Sequence, residues 1–277
     1  MSPDEYCQQR AAASGSSFYY SFLFLAPERR RAITALYAFC REVDDVVDEC
    51  SDAQLARAKL DWWRMEIANL YGGKPQHPVM QALAPAAAAY GVTADRLNQI
   101  VDGMAMDLTQ TRYLDFAALE RYCHLVAGVV GLLAAGIFGY RDPRTLEFAQ
   151  TLGTAFQLTN IIRDVGEDAR KNRIYLPMED LQEYGVTAAD VLQSRPTDLF
   201  RKLMQFQIRR AESFYDRALS LLPAEDRRAQ RPGLIMAAIY RALLAEIERE
   251  GCRVLSQRTS LTPLRKFWIA WKTWILA

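Results

Sequence analysis

Two stretches of apolar sequence carry aspartates at helical spacing, and together they restrict the chain to a helical fold with charge on selected inner faces. The first runs from Tyr37 to Asp48 and the second from Gln157 to Asp168. At about 100° per residue, Tyr37, Arg41, Asp44 and Asp48 fall within an arc of roughly 60°. Gln157, Asn160, Asp164 and Asp168 fall within roughly 80° on the same reckoning. Each helix therefore presents one acidic stripe with an arginine beside it. Aspartates one turn apart repel each other by about a few tenths of a kcal/mol on an exposed helix. Turned inward, the same carboxylates meet a much larger desolvation cost. A divalent cation removes both problems. Mg²⁺ suits the pattern, because it takes one or two carboxylates, keeps waters and binds phosphate oxygens. Two such stripes facing each other would grip a diphosphate through bridging Mg²⁺.

The rest of the pattern is helical almost throughout. Pro27-Glu28-Arg29 opens a helix that should run to about Asp48 or Glu49, with proline in the first turn and an acid near the positive end. Ser51-Asp52 reads as the next N-cap region, and Gly72-Gly73 stops the helix after Tyr71. Further helices are predicted near 77–90, 93–108, 115–139, 143–168, 197–221 and 231–257, with a final one from Pro263. Between them, 169–195 reads as a loop with short helices, suited to covering a site. No fixed-period repeat, strand-like alternation or low-complexity linker interrupts this. The prediction is an all-α fold, one domain over 1–277.

Composition narrows the function. A net charge of +1 argues against a nucleic-acid binder that relies on bulk positive charge. Five dispersed cysteines without a C-x-x-C pair read as reduced thiols in a cytoplasmic protein. Two histidines, His77 and His124, are too few for a His-rich zinc site. No secretory h-region is visible near Met1. The longest apolar run, Leu125 to Tyr140, is broken by four glycines and is shorter than the roughly 20 residues of a membrane span, so it reads as a buried helix.

The motifs resemble those of the squalene/phytoene synthase family, the head-to-head trans-isoprenyl diphosphate synthases. The stretches that carry the resemblance are Ser14 to Tyr20, Tyr37 to Asp48, Gly103 to Asp107, Tyr122 to Gly128 and Gln157 to Pro177, and it extends over nearly the whole chain. Within the family, the sequence is most similar to bacterial presqualene diphosphate synthases of the hopanoid route. The resemblance implies a single-domain isoprenoid synthase helical fold with a central prenyl-binding cavity. It also implies a Mg²⁺-dependent reaction (Mn²⁺ serving in its place) in which two farnesyl diphosphates condense to presqualene diphosphate.

Roles follow from the same resemblance. Asp44 and Asp48 match the first aspartate motif, and Asn160, Asp164 and Asp168 the second, as metal ligands. Asp45 points about 100° away from Asp44 and ranks below them. Arg41 and Arg163 would bind diphosphate oxygens and assist catalysis, where bidentate geometry helps. Tyr37, Gln157 and Tyr240 match substrate-contacting positions. Ser14, Gly15, Ser16 and Ser17 match a phosphate-contacting segment, with Ser14 standing where several relatives carry histidine. Tyr122 matches a tyrosine associated with proton removal; its alternative is a packed core residue. Arg170, Lys171 and Arg173 would close over the departing diphosphate, or else form a solvated loop. The Gly- and Ala-rich helix around Val126–Gly139 could seat a prenyl chain or simply pack closely. Of the aromatic cluster Phe18, Tyr19, Tyr20, Phe22 and Phe24, most members read as core, although aromatic faces also stabilise cations.

Three alternatives stand beside this reading. The chain could be a phytoene, squalene or dehydrosqualene synthase, a non-catalytic assembly-factor relative, or a terpene cyclase. Downstream squalene-pathway enzymes are candidate partners. The last stretch, Leu264 to Ala277, holds three of the five tryptophans beside basic residues. Such a helix could lie peripherally on the cytoplasmic face of an anionic membrane, or dock on the protein's own core.

Overall fold

The computed structural model describes residues 1–13, 18–22, 24–50 and 52–276, the side chain of Tyr19 excepted. Ser14, Gly15, Ser16 and Ser17 lie outside the described residues, as does Ser51 of the proposed cap. The described chain forms fourteen α-helices and no strand. They are α1 (Pro3–Ala13), α2 (Phe18–Phe22), α3 (Pro27–Glu49), α4 (Ala53–Tyr71), α5 (Pro78–Tyr90), α6 (Ala94–Met106) and α7 (Phe116–Cys123). There follow α8 (Val129–Phe138), α9 (Arg144–Arg170), α10 (Met178–Glu183), α11 (Ala188–Leu192), α12 (Asp198–Leu221), α13 (Arg231–Arg249) and α14 (Pro263–Leu276). This is the all-α, single-domain helical fold that the sequence predicts, with one continuous apolar core.

Local chemistry sets the boundaries. Pro27 stands in the first turn of α3, and the Asp52 carboxylate accepts hydrogen bonds from the Gln54 and Leu55 amides to cap α4. The central pair is α9 with α12, and α8 and the turn before it cross α9 at very short range. A Cβ on Gly131 of α8 would sit 2.2 Å from the Ala149 carbonyl oxygen, and one on Gly153 of α9 would sit 2.3 Å from the Ala127 carbonyl oxygen just before α8, so only glycine permits the crossing.

Three expectations are corrected. The segment 115–139 is not one regular helix: His124–Gly128 forms a π-turn between α7 and α8. One extra residue per turn there re-aims α8, which a 3.6-residue period does not register. The helix from Arg231 ends at Arg249, not near 257, because Gly251 and Cys252 take left-handed φ values of 77° and 57° and the Cys252 amide bonds back to the Ile247 carbonyl. The polar segment Pro3–Ala13, for which no element was predicted, is helical. Arg10 pairs with Glu42 at 2.7 Å and with Asp45 at 2.5 Å, and the Tyr6 hydroxyl donates to Glu42 at 2.6 Å. Residues 116–138 are long and apolar enough to span a bilayer by length and composition, but half of their most apolar window is buried and α8 lines the interior cavity.

Candidate active site

Along α3 the residues lining one large cavity are, in order, Ile33, Leu36, Tyr37, Cys40, Arg41 and Asp44. Along α9 they run from Phe148 and Leu152 through Phe156 and Gln157 to Asn160 and Arg163. On both helices the lining turns from apolar to charged toward the C-terminal end. Those two ends meet: Lys171 and Arg173, just beyond α9, bind the Asp48 carboxylate at 3.0 and 2.8 Å. The cavity therefore has one polar end, built from both stripes, and an apolar remainder. Its volume of about 470 Å³ lies within the range of small-molecule sites. In the apolar part Val130, Ala134 and Ala135 of α8 leave room beside the helix backbone, and the rings of Phe22 and Phe138 lie 6.5 Å apart. Close packing and a cavity wall thus coexist in the Gly- and Ala-rich segment.

At the polar end, burial lifts three carboxyls while cations hold two others low. Burial raises Asp44 to about 6 against the pull of Arg41, which pairs with it at 2.6 Å. Burial and the neighbouring Asp164 raise Asp168 to about 7. Burial likewise raises Asp107 to about 6, although the Tyr122 and Tyr175 hydroxyls donate to it at 2.8 and 2.9 Å. Asp48 and Asp164 behave oppositely. Burial opposes their ionisation, but Lys171 and Arg173 at the first and Arg163 and Arg258 at the second outweigh it and hold both carboxyls low. Both stripes also lie at the negative, C-terminal ends of their helices, which favours a cation there.

The donor set fits a hard divalent ion: it offers oxygen atoms only, and burial holds two of its carboxyls, Asp44 and Asp168, above their ordinary range. Among the described residues no three Asp, Glu, His or Cys side chains converge tightly enough to cage an ion unaided. An ion held here would complete its shell with water and substrate phosphate oxygens.

Of the residues singled out from sequence, Tyr37, Arg41, Asp44, Tyr122, Gln157, Asn160, Arg163 and Tyr240 line the cavity together. Asp48, Asp164 and Asp168 stand at its polar end but outside the lining. Asp45 turns to Arg10 and to Arg41, the latter at 2.7 Å. Phe18 packs on Tyr37 with ring centroids 5.5 Å apart. Three neighbours of the site were not picked out: Asp107, Tyr175 and Arg258. Arg258 binds Asp164 at 2.8 Å, carried there by the segment after α13, whose Leu255 carbonyl rests on Gly166 of α9.

The profile of one protein family, squalene/phytoene synthase, matches residues 11–265. The chain belongs to that family. Among its squalene/phytoene synthase relatives, chloroplastic phytoene synthase 1 of Arabidopsis thaliana is 35% identical over 94% of this chain, which spans 63% of that protein's length. The phytoene synthase of Arthrospira platensis is 35% identical over 95% of this chain and 89% of its own. The crystal structure of a dehydrosqualene synthase in complex with ligand overlays with a TM-score of 0.87 at 27% identity, covering 98% of this chain and 95% of that one. The squalene synthase HpnC from Alicyclobacillus acidocaldarius overlays with a TM-score of 0.79 at 30% identity, covering 90% and 94%.

Proposed function

We propose that this chain is a prenyltransferase of isoprenoid biosynthesis, serving the squalene and hopanoid route, that joins two farnesyl diphosphates head to head. Diphosphate leaves and presqualene diphosphate forms. The observation that carries this reading is the shared cavity, polar where the C-terminal ends of α3 and α9 meet and apolar beyond. A prenyl diphosphate has the same two-part character.

The roles are as follows. Asp44, Asp48, Asn160, Asp164 and Asp168 would hold Mg²⁺, which when bound neutralises the diphosphate oxygens as the allylic C–O bond breaks. Arg41 and Arg163 sit among these carboxylates and supply directed N–H donors to the same oxygens. Tyr37, Gln157 and Tyr240 position the substrate at the junction of polar and apolar lining. Ser14 to Ser17 remain assigned to phosphate contact by resemblance alone. The apolar lining keeps water from the allylic cation until the C2–C3 double bond of the second farnesyl chain attacks it. Closing the cyclopropane then releases one proton. Tyr122 holds its hydroxyl toward Asp107, and burial keeps that phenol protonated. Its oxygen can accept the substrate proton while its own passes to the Asp107 carboxylate, which restores the phenol.

Chain length has support on two sides. The overlays with a dehydrosqualene synthase and a squalene synthase favour the farnesyl chain. The sequence similarity to phytoene synthases favours geranylgeranyl diphosphate and phytoene as a second reading. Incubation with each diphosphate and Mg²⁺, with and without NADPH, followed by mass spectrometry, separates them. Presqualene diphosphate accumulating from farnesyl diphosphate under both conditions supports the proposal. Squalene formed only with NADPH would make the chain a complete squalene synthase. Product from geranylgeranyl diphosphate alone would replace the proposal with the second reading.

A further inference from the structure

The last helix is docked by one face and bare on the other. Inward, Ala270 is fully buried, and Trp274 stacks on Phe24 with ring centroids 5.0 Å apart and the Arg231 guanidinium 4.8 Å from its ring. Outward, Leu264, Phe267, Trp268, Trp271 and Ile275 are 43–83% exposed. At about 100° per residue these five fall within roughly 100° of arc, one continuous stripe. A stripe of that kind is too large for an ordinary solvated surface. The docking of α14 is thus complete without these side chains.

Charge indicates what covers them. Residues 251–277 contain five of the chain's 34 Lys and Arg and none of its 33 Asp and Glu. Lys272 lies at one margin of the stripe. Beside it, α14 forms a groove of about 510 Å³ with α12 and α13, lined by Leu219, Leu234 and Leu276 together with Arg227 and Lys272. The third cation of the lining, Arg241, is paired with Glu212 and Asp216. An apolar groove bearing Arg227 and Lys272 matches an acyl chain beneath a phosphate. Tryptophans on an apolar stripe bordered by basic residues match the headgroup boundary.

We propose that the outer face of α14 binds an anionic phospholipid bilayer, with its tryptophans in the headgroup region and Arg227 and Lys272 on lipid phosphates. The segment leading into α14 borders the central cavity through Ser260 and Leu261, and α14 itself through Lys266, so bound protein holds that cavity next to the lipid phase. Membrane binding of this kind needs no prenyl substrate, so its failure would leave the proposed reaction untouched.

The test is sedimentation of the purified protein with phosphatidylcholine vesicles, with or without phosphatidylglycerol. Binding should be at least about tenfold stronger with the anionic lipid and should weaken in high salt. Brominated lipid should quench tryptophan fluorescence of the bound protein. The variant F267S/W268S/W271S should lose at least about tenfold in vesicle binding. Its circular dichroism and turnover should match the wild type, since none of the three residues lines the cavity. Lys272→Glu, the milder change, should lose about fivefold. Equal binding to both vesicle types, no binding, or wild-type binding by both variants would overturn the proposal. So would a dimer abolished by the triple variant in a protein that ignores vesicles, which would assign the face to a second copy of the chain.

Discussion

Asp168→Asn should make the metal-free protein more stable while disabling it. Asp168 rises from its ordinary 3.8 to about 7, chiefly through burial and next through Asp164. The folded state therefore holds a proton that the unfolded chain releases near pH 4. Stability is lost as pH rises from about 4 to about 7, and above that the full penalty applies. Holding a carboxyl at about 7 instead of 3.8 corresponds to at most about 4 kcal/mol. Partial exposure and sharing of charge with Asp164, Asp107 and Asp48 reduce this to about 1–2 kcal/mol. Asparagine keeps the shape and never ionises. Thermal melts in EDTA should place the variant about 3–6 °C above the wild type at pH 8, with no difference near pH 4. Mg²⁺ with inorganic pyrophosphate should raise the wild-type Tm at pH 8 and leave the variant nearly unmoved, and turnover should fall at least about a hundredfold. A variant that melts at or below the wild type at pH 8, or whose gain is the same at both pH values, would refute this reasoning.

Two further outcomes are expected. Gly153→Ala forces a methyl to 2.3 Å from the Ala127 carbonyl oxygen and should cost about 1–3 kcal/mol, read as a lower Tm, with weaker turnover because Gly153 also lines the cavity; an unchanged Tm would show that α9 and the π-turn before α8 part freely. Tyr122→Phe removes a buried hydrogen bond to Asp107 and the proposed proton path, so Tm should fall and turnover should drop about a hundredfold; wild-type turnover would assign the proton to the released diphosphate instead.

Where structure is local, it was legible in advance. Pro27 and the spacing of Tyr37, Arg41, Asp44 and Asp48 place α3 and its charged face, and the predicted helix over 143–168 with the second stripe does the same for α9. What was hidden depends on partners distant in sequence. Pro3–Ala13 has no apolar period of its own; it is held by Arg10 and Tyr6 against acids of α3 some 35 residues away. Asp107 stands in a recognisable stretch, but its meaning comes from Tyr122, 15 residues on, and Tyr175, 68 residues on. Arg258 lies in irregular sequence 94 residues from Asp164, and nothing near it marks a site. The four residues Ser14–Ser17 keep only the role their resemblance implies.

The central claim is that the two stripes work as one site on one diphosphate. The most direct measurement is the turnover of farnesyl diphosphate with Mg²⁺ by Asp48→Asn, Asp164→Asn and the double variant, with circular dichroism confirming each fold. Each single change should cut turnover at least about a hundredfold, and the double variant should be little worse than either, because groups acting as a unit do not add. Retained activity in both single variants, or losses that multiply in the double, would contradict the account.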